Sequence, residues 1–383
     1  MSTGVYAHIP FCARRCDYCD FFVIPGTLSP GDARGFFELL SLEARRTAGL
    51  AGAGTDADTL YLGGGTPSFV PPDEIARFVQ ECLNAFSIHP GAEISMEANP
   101  ESVLEPTAAA WREAGVNRLS LGAQSFDDAV LAPRGRLHTA AGTVRAFEIA
   151  RRAGFHNVGI DLIAGLPGES LQGFLAGIGR VLEMGPEHVS VYLLETEESG
   201  KLTPLSRALA EGRARTAPEG EVVAMYEGAV SLLSGAGYEH YEISNFARPG
   251  RASRHNLKYW LSTPWAGLGP SAHSFLAGRR RANPDDLASW ARGVRDAGAP
   301  PVEDYTLDDA VGRAREALVM NLRLMGGVDL AEFSGRWGMD PDVDLAQTLE
   351  DLEQAGLLRR GAGRLALTPR GVLLSNEVFG RIS

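Results

Sequence analysis

The sequence Cys12-Ala-Arg-Arg-Cys16-Asp-Tyr-Cys19 begins just behind a short apolar run, Val5-Tyr-Ala-His-Ile9, and contains three of the four cysteines of the chain. Clustered thiolates of this kind usually hold a metal. They bind zinc together with a fourth ligand such as His8, or they bind three irons of a 4Fe-4S cluster and leave the fourth iron open. The spacing therefore predicts a metal site, and the rest of the chain has to separate these two alternatives.

The length and composition predict a globular protein with more than one domain. The chain has 383 residues, of which 44% are hydrophobic and 22% are charged. We expect neither a signal peptide nor a membrane span, and hence a cytoplasmic protein whose thiols stay reduced. The net charge of −12 argues against a general affinity for nucleic acid or anionic membranes. The fourth cysteine, Cys82, is expected to be a small buried hydrophobe.

Strands and helices alternate along the first half of the chain. After the run that precedes Cys12, apolar segments predict strands at 59–62, 93–97, 118–122, 158–163 and 188–193, and helical patterns lie between them. This alternation indicates βα units and a parallel α/β sheet. We predict a partial (β/α)6 barrel, because no seventh or eighth strand can be found in the sequence.

Unusual residues stand at the end of each predicted strand. In chain order they are the cysteines, the turn Gly63-Gly-Gly-Thr66, Glu97 with Asn99, Gln124, Asp161 and Glu195. The carboxyl ends of the strands form one face of an α/β barrel, and that face carries the active site. One pocket is therefore expected to gather all these positions, which a purely structural zinc site would not predict.

The second half of the chain is expected to form two further regions. A polar linker begins near residue 195, so we assign residues 1–200 to the barrel, 201–301 to an α+β accessory region and 302–383 to a C-terminal domain. Helical patterns at 309–323, 330–337 and 343–355, together with a hairpin that turns at Gly361-Ala-Gly363, are typical of a winged helix. Nine Lys or Arg against fourteen Asp or Glu in residues 301–383 argue against DNA binding.

The cysteine motif resembles the start of a radical S-adenosylmethionine (SAM) enzyme. The residues Tyr6-Ala-His-Ile-Pro-Phe-Cys12, followed by Cys16, Tyr18 and Cys19, are similar to the coproporphyrinogen dehydrogenase group of that superfamily. The resemblance implies that the three thiolates hold a 4Fe-4S cluster. It also implies that the open iron binds the amino and carboxylate groups of SAM, and that reduction then cleaves SAM.

The same resemblance assigns further cofactor contacts. A turn that merely packs the next helix would also explain Gly63-Gly-Gly-Thr66, but consecutive glycines let a backbone approach a ligand and expose N–H groups to its carboxylate. By resemblance, the SAM contacts are Tyr6, Tyr18, Gly64, Gly65, Thr66 and Glu97, while Gln124, Arg136 and Asp161 match a second SAM site of the oxidase. Glu195 aligns loosely and receives no role, and His138 is interpreted as a local hydrogen-bonding histidine.

Two features separate the branches of this group. In the oxygen-independent coproporphyrinogen III oxidase a fourth cysteine follows the third ligand after one residue and an N-terminal extension precedes the motif, whereas here Phe21 takes that position and the motif begins almost at Met1. The run His255-Asn-Leu-Lys-Tyr259-Trp260 matches the His-Asn-x-x-Tyr-Trp signature of the HemW family of heme chaperones. A core turn would explain its spacing equally well. The resemblance implies that His255 ligates heme iron and that Tyr259 and Trp260 pack on the porphyrin.

The resemblance as a whole implies a heme chaperone that binds a 4Fe-4S cluster, SAM and heme. It would transfer heme to heme-requiring proteins such as respiratory enzymes. An oxygen-independent coproporphyrinogen III oxidase and a radical SAM methyltransferase are the alternatives, and a homodimer stays open. Arg279-Arg-Arg281 is interpreted as a solvated turn, the segment 265–273 as a glycine-rich loop, and His273 as a core histidine.

Overall fold

The alternating apolar pattern of the first half of the chain forms the centre of one large sheet. The computed structural model describes residues 2–50, 56–195, 203–297 and 302–383. Its first strands are β1 (Thr3–Ile9), β2 (Phe11–Cys12), β3 (Ile24–Pro25), β4 (Ala57–Gly64), β5 (Ile88–Ala98), β6 (Arg118–Gln124), β7 (Val158–Ala164) and β8 (His188–Leu193). The helices between them are α1 (Pro30–Leu50), α2 (Pro72–Ala85), α3 (Glu105–Glu113), α4 (Asp128–Leu131), α5 (Ala140–Arg152) and α6 (Leu171–Met184).

The strands β1, β4, β5, β6, β7 and β8 lie side by side in chain order, and each is parallel to the next. This arrangement confirms the six predicted βα units. Helix α2 illustrates how they are stabilised. Pro72 stands in its first turn, where the backbone N–H that proline lacks would have no partner within the helix, and the negative charges of Asp73 and Glu74 interact favourably with the positive end of the helix dipole. Its buried face includes Phe78 and Cys82, so Cys82 is the small buried hydrophobe that was predicted.

The middle of the chain extends this sheet at both edges. Its helices are α7 (Pro204–Ala210), α8 (Glu219–Gly235), α9 (Arg254–Trp260) and α10 (Leu287–Arg292), and a π-helical turn at Gly293–Ala297 follows α10. Its strands are β9 (Glu239–Glu242), β10 (Asn245–Ala247), β11 (Trp265–Leu268), β12 (His273–Leu276) and β13 (Arg279–Ala282). Strands β10 and β9 follow β8, while β11, β12 and β13 continue the sheet beyond β1.

Strand β11 was not predicted, and it adds a seventh parallel strand. It pairs with β1 in parallel, with Gly4 opposite Trp265. Sequence reasoning took this segment for a glycine-rich loop because the strand is short and ends in glycines. The structure explains Gly267 differently, since a Cβ there would collide with the carbonyl group of His273 in the neighbouring strand. Its glycine is therefore a packing requirement of the sheet and not a sign of a loop.

The end of the chain forms a helical unit with a small antiparallel sheet. After the edge strand β14 (Glu303–Asp304), it contains α11 (Ala310–Leu322), β15 (Val328–Asp329), α12 (Leu330–Trp337), α13 (Pro341–Asp344), α14 (Ala346–Gln354), β16 (Leu358–Gly361), β17 (Arg364–Leu367), α15 (Pro369–Leu373) and α16 (Ser375–Ile382). The predicted hairpin is β16–β17, and its turn residues Ala362 and Gly363 both have positive φ, as a type I′ turn requires. None of the described helices is both long and apolar enough to cross a bilayer.

Candidate functional site

The three cysteines lie on a loop at the carboxyl end of β1. We call residues 12–22 the cysteine loop and the carboxyl ends of the parallel strands the mouth. The backbone fixes the start of the loop, because Gly26 N–H donates to the carbonyl of Cys12 at 3.0 Å and β2 pairs with β3. Cys12 is buried, Cys16 and Cys19 are half-buried, and all three are free thiols.

Two side chains from other parts of the mouth donate hydrogen bonds to these thiols. Thr66 Oγ1 lies 3.2 Å from Cys12 Sγ, and a guanidinium nitrogen of Arg136 lies 3.5 Å from Cys16 Sγ. Arg136 also donates to Asn99 Oδ1 at 2.8 Å and to the carbonyl of Gly122 at 2.6 Å. Hydrogen bonds and positive charge next to sulfur favour the thiolate form, which is the form that binds metals.

The thiols of the cysteine loop fit a bound group that carries positive charge. Burial raises the pKa of Cys12, and it raises the pKa of Cys19 to about 11, so ionisation of these thiols requires a nearby cation such as iron. Arg136 Nε is buried without a hydrogen-bond partner in the described part of the chain, which leaves a donor for a bound group. Over the same residues, no group of three or more His, Cys, Asp or Glu side chains is placed so that it could hold a single metal ion.

His8 does not serve as the fourth zinc ligand that the sequence allowed. Its Nδ1 is hydrogen-bonded to Tyr6 Oη at 3.1 Å, and its Nε2 donates to the carbonyl of Phe22 at 2.8 Å. Both ring nitrogens are therefore occupied by the protein. The role of His8 is to connect the end of β1 to the cysteine loop.

The glycine turn after β4 works differently from the way that the sequence suggested. Gly64 N–H donates to Glu97 at 3.0 Å, Gly65 N–H to the carbonyl of Ile9 at 2.9 Å, and Thr66 N–H to the carbonyl of Phe11 at 2.8 Å. These three N–H groups bind the protein, so any contact of the turn with a ligand uses its other atoms. The glycines are needed for packing, because a Cβ on Gly65 would lie 2.6 Å from the carbonyl of Pro10.

Glu97 and Asp161 place two carboxylates on the same side of the sheet. Glu97 accepts hydrogen bonds from Tyr61 Oη at 2.9 Å and from Gly64 N–H, and burial together with the charge of Asp161 raises its pKa to about 7. Asp161 accepts from Ser120 at 2.9 Å and from Ser190 at 2.7 Å, and burial raises its pKa. Burial thus makes the ionised form of each carboxylate less favourable, and a nearby cation would offset this effect.

The remaining predicted SAM contacts also lie at the mouth or on the inner side of the sheet. Tyr6 stands between the rings of His8 and Tyr61, each 6.1 Å from it between ring centroids. Tyr18 packs in a small apolar cluster with Ile163 and Leu166, and burial raises its pKa. Gln124 ends β6 with a φ of 66°, a strained conformation that is typical of functional positions. Glu195 is exposed near the end of β8.

His255 lies beside Gly4 and Thr59, near the amino ends of β1 and β4, and its contacts do not fit the predicted role of heme ligand. Its side chain is 0% exposed, its Nδ1 is 2.8 Å from Thr59 Oγ1, and its Nε2 is 2.8 Å from Tyr259 Oη. Iron could reach neither nitrogen without displacing one of these partners. Tyr259 packs edge-on against Trp265 at 4.8 Å, and Arg323 lies 4.4 Å above the ring of Trp260, so both half-buried aromatic side chains pack against other parts of the protein.

Three secondary interpretations have mixed outcomes. His138 is a local hydrogen-bonding histidine as predicted, with Nε2 3.0 Å from the carbonyl of Ala123. Arg279 and Arg281 are exposed as predicted, and both pair with Asp304, at 2.6 and 3.5 Å. The run is not a turn, however, because it forms strand β13, and Arg280 is buried and paired with Glu316. The prediction that His273 is a core residue is wrong, because it is exposed at the start of β12, where its Nδ1 contacts Tyr305 Oη.

Sequence reasoning missed the side chains that support the two carboxylates. Tyr61, Ser120 and Ser190 are polar residues inside apolar strands, and each directs its hydroxyl to Glu97 or Asp161. Their spacing held a usable signal: in a strand, residues two apart face the same side, so Tyr61 shares a face with Gly63 and Ser120 with Gly122. A search for hydroxyl residues on the same strand face as the glycines at the strand ends would have identified Tyr61 and Ser120.

Comparisons with known proteins agree with this arrangement. The sequence profile of the radical SAM superfamily matches residues 6–176, and that of the HemN C-terminal domain matches residues 311–374. Over its full length the chain also has the fold of coproporphyrinogen III oxidase (HemN) from Escherichia coli, with a TM-score of 0.85, 24% sequence identity and coverage of 90% of that chain. At this identity the match speaks for the fold alone.

Two proteins of more similar sequence are named heme chaperone HemW. The one from Bacillus subtilis is 33% identical over 98% of this chain and 98% of its own length. The one from Mycobacterium tuberculosis is 37% identical over 98% of this chain and 93% of its own length. These alignments extend over both the barrel and the C-terminal unit.

Proposed function

The chain belongs to the HemW family of the radical SAM superfamily, and from this premise we propose that it binds a 4Fe-4S cluster, SAM and heme and passes the heme to heme-requiring proteins. The observation that carries the proposal is the pair of hydrogen bonds from Thr66 and Arg136 to two thiols of the cysteine loop. They bring the ends of separate strands to one sulfur-rich point at the mouth, which supports a cofactor centre there.

In this proposal, Cys12, Cys16 and Cys19 hold the cluster and the surrounding residues bind SAM. When bound, a 4Fe-4S cluster with an open iron supplies an electron and a binding position for the amino and carboxylate groups of SAM. Glu97 and Asp161 supply negative charge that complements the cationic groups of SAM. The proposed contacts are Tyr6, Tyr18, Gly64, Gly65, Thr66 and Glu97, with Gln124, Arg136 and Asp161 further along the mouth.

The proposal of heme binding rests on the family and on Phe21. The relatives are named as heme chaperones, and Phe21 stands where the oxidase has a fourth cysteine. Because His255 is buried and hydrogen-bonded at both nitrogens, we do not assign it as the iron ligand. We place the action of the protein in the cytoplasm, where reducing conditions keep the cluster ligands as thiols.

The test of this function is anaerobic reconstitution with iron and sulfide, followed by two separate assays. A hemin titration should give saturable binding, and incubation with coproporphyrinogen III, SAM and a reductant should leave the porphyrinogen unchanged. Conversion to protoporphyrinogen IX would contradict the chaperone function and identify an oxidase.

The cysteine assignment has its own prediction. Replacing Cys16 by Ser removes one of three thiolates, so the variant should lose the charge-transfer absorbance of the reconstituted cluster. Cys82→Ser is the matched control, because Cys82 is buried in α2 and lies outside the mouth. A complete 4Fe-4S spectrum in the Cys16→Ser protein would refute the assignment.

A further inference from the structure

His255 occupies the closed end of the parallel sheet, opposite the mouth. We call the group Gly4, Thr59, Glu93 and His255 the floor, because it lies where β1 and β4 begin and where Thr59 pairs with Glu93 of β5. Glu93 receives the backbone N–H of His255 at 3.2 Å. Space at the floor is tight, since a Cβ on Gly4 would lie 3.1 Å from Cε1 of the His255 ring.

The orientation of the His255 ring is fixed from two sides. Thr59 Oγ1 contacts Nδ1 and Tyr259 Oη contacts Nε2, both at 2.8 Å, so the ring cannot rotate without breaking a buried hydrogen bond. Burial, together with the positive charge of Lys258, lowers the pKa of His255 to about 3. The ring is therefore neutral at physiological pH, and it forms a flat uncharged surface that faces the tyrosines above it.

A first chain of contacts runs from this ring to the proposed SAM carboxylate. The His255 ring stacks on Tyr61, with 5.3 Å between centroids and 29° between planes. Tyr61 Oη donates to Glu97 Oε1 at 2.9 Å, and Glu97 Oε2 accepts the N–H of Gly64 at 3.0 Å. The position of Glu97 thus depends on a tyrosine that rests on His255.

A second chain of contacts runs from the same ring to the cysteine loop. His255 lies 6.3 Å from the ring of Tyr6, with 30° between the planes. Tyr6 Oη is hydrogen-bonded to His8 Nδ1 at 3.1 Å, and His8 Nε2 donates to the carbonyl of Phe22 at 2.8 Å. One buried ring therefore supports both the carboxylate and the loop that carries the cysteines.

We propose that His255 is a positioning residue for the SAM site, which it orders through Tyr61 and Tyr6, and that it does not ligate heme iron. The inference rests on the proposed SAM function of Glu97 and the cysteine loop. In this inference, the His-Asn-x-x-Tyr-Trp segment supports the cofactor site from the end of the sheet opposite the mouth.

The test compares SAM affinity with hemin affinity in reconstituted full-length protein. His255→Ala removes the supporting ring, and its affinity for SAM in equilibrium dialysis should fall about tenfold. Thr59→Val leaves the ring in place but removes the hydroxyl that orients it, and SAM affinity should fall about threefold. Hemin affinity, followed by the Soret absorbance, should change less than about twofold in both variants.

The matched control is His240→Ala. His240 is a half-buried histidine whose ring stacks on Phe246 at 4.3 Å and whose Nε2 contacts the carbonyl of Ile243, outside both chains of contacts. Its loss should leave SAM affinity unchanged. If His255→Ala does not fold, Thr59→Val still decides the question, because its side chain has almost the same shape.

Unchanged SAM affinity in Thr59→Val and His255→Ala would overturn the inference, and so would loss of hemin binding with SAM binding retained. A wild-type protein that binds SAM but takes up no hemin would speak against the proposed heme function alone. In that case the SAM comparison between the variants still tests the role of His255.

Discussion

Thr66 and Arg136 donate hydrogen bonds to the sulfurs that would hold the proposed cluster. Each donates to a different sulfur, and each comes from a different segment that follows a strand of the sheet. A hydrogen bond to a ligating sulfur withdraws electron density from it and so favours the reduced state of a cluster. The two donors are therefore expected to affect the redox properties of the centre as well as its assembly.

Thr66→Val should lower the reduction potential of the bound cluster. The substitution keeps the shape of the side chain but removes the hydroxyl that lies 3.2 Å from Cys12 Sγ. A hydrogen bond of about 1 kcal/mol corresponds to roughly 40 mV for a one-electron couple. The shift can be measured by a redox titration followed by electron paramagnetic resonance. Thr66→Ser retains the donor and serves as the control, and equal potentials in both variants would contradict this role.

At the residue scale, the sequence predicted groups whose members are close together in the chain and missed groups whose members are far apart. The cysteine spacing predicted a metal site because its members are close in sequence, and the structure places donors at two of the three thiols. The surroundings of His255 could not be predicted, since its partners Thr59 and Glu93 precede it by 196 and 162 residues. A signature gives the residue types but not which of them the fold buries.

At the scale of elements, the glycine turn after β4 holds two strand ends in close contact. Gly65 lies against the backbone of Pro10, which follows β1, and a Cβ would approach that carbonyl to 2.6 Å. Backbone atoms cannot move aside as a flexible side chain can. The turn therefore holds the start of the cysteine loop against the end of β4. Because of this close contact, position 65 has no room for a residue larger than glycine.

Gly65→Ala should destabilise the protein and reduce cluster loading. The clash with Pro10 is expected to cost about 2 kcal/mol or more of the free energy of unfolding, measured by urea denaturation. Gly35→Ala is the control: Gly35 lies in α1, and a Cβ added there would have no neighbouring atom within 4 Å, so alanine should be neutral or stabilise by up to about 1 kcal/mol. Equal effects of the two substitutions would contradict the packing argument.

Glu43 connects α1 to the part of the sheet beyond β1. It is buried and accepts hydrogen bonds from Gly269 N–H at 2.7 Å, from Trp290 Nε1 at 2.9 Å and from Asn283 Nδ2 at 2.8 Å. Burial raises its pKa to about 7 in spite of these donors. The folded state therefore retains a proton that the unfolded state releases at lower pH.

The pH dependence of stability should reflect this group. As the pH rises from the ordinary carboxyl pKa towards 7, the unfolded chain ionises Glu43 while the folded chain does not, so the free energy of unfolding falls. The loss from Glu43 should reach about 3 kcal/mol between about pH 5 and about pH 8. Glu43→Gln should lack this component in denaturation curves across that range. Parallel pH profiles of the two proteins would contradict it.

Elements with a clear period were predicted well, and short or interrupted ones were not. Helix α12 has the predicted bounds, and the hairpin β16–β17 turns at the predicted glycines. Strand β11 was missed because four residues with a glycine carry too little periodicity. The helix predicted over 343–355 is divided into α13 and α14, since Leu345 leaves the helical conformation with a φ of −126°.

At the scale of the whole molecule, α9 lies between the sheet and the C-terminal unit. Asn321 Nδ2 donates to the carbonyl of Trp260 at 2.6 Å, and Arg336 donates to the carbonyls of Leu261 and Ser262 at 2.9 and 2.5 Å. On its other side, α9 presents His255 to the tyrosines Tyr6 and Tyr61. The C-terminal unit is thus in contact with the segment that supports the proposed SAM site.

The two segments that match family profiles, 6–176 and 311–374, are both in contact with α9. The barrel places the cysteines and carboxylates at one end, and the C-terminal unit is attached at the segment below them. The C-terminal unit and the tyrosines next to the proposed cofactor site therefore contact the same helix. The sequence indicated both parts but not the contact that joins them, because that contact depends on backbone carbonyls.

Heme transfer from reconstituted protein is the measurement that tests the central claim most directly. Protein loaded with the 4Fe-4S cluster and hemin is mixed under anaerobic conditions with an apo heme protein, and the Soret spectrum of the separated acceptor is recorded. We expect heme to move to the acceptor while added coproporphyrinogen III stays unconverted in the presence of SAM and reductant. Heme that stays on the chain, together with formation of protoporphyrinogen IX, would contradict the account.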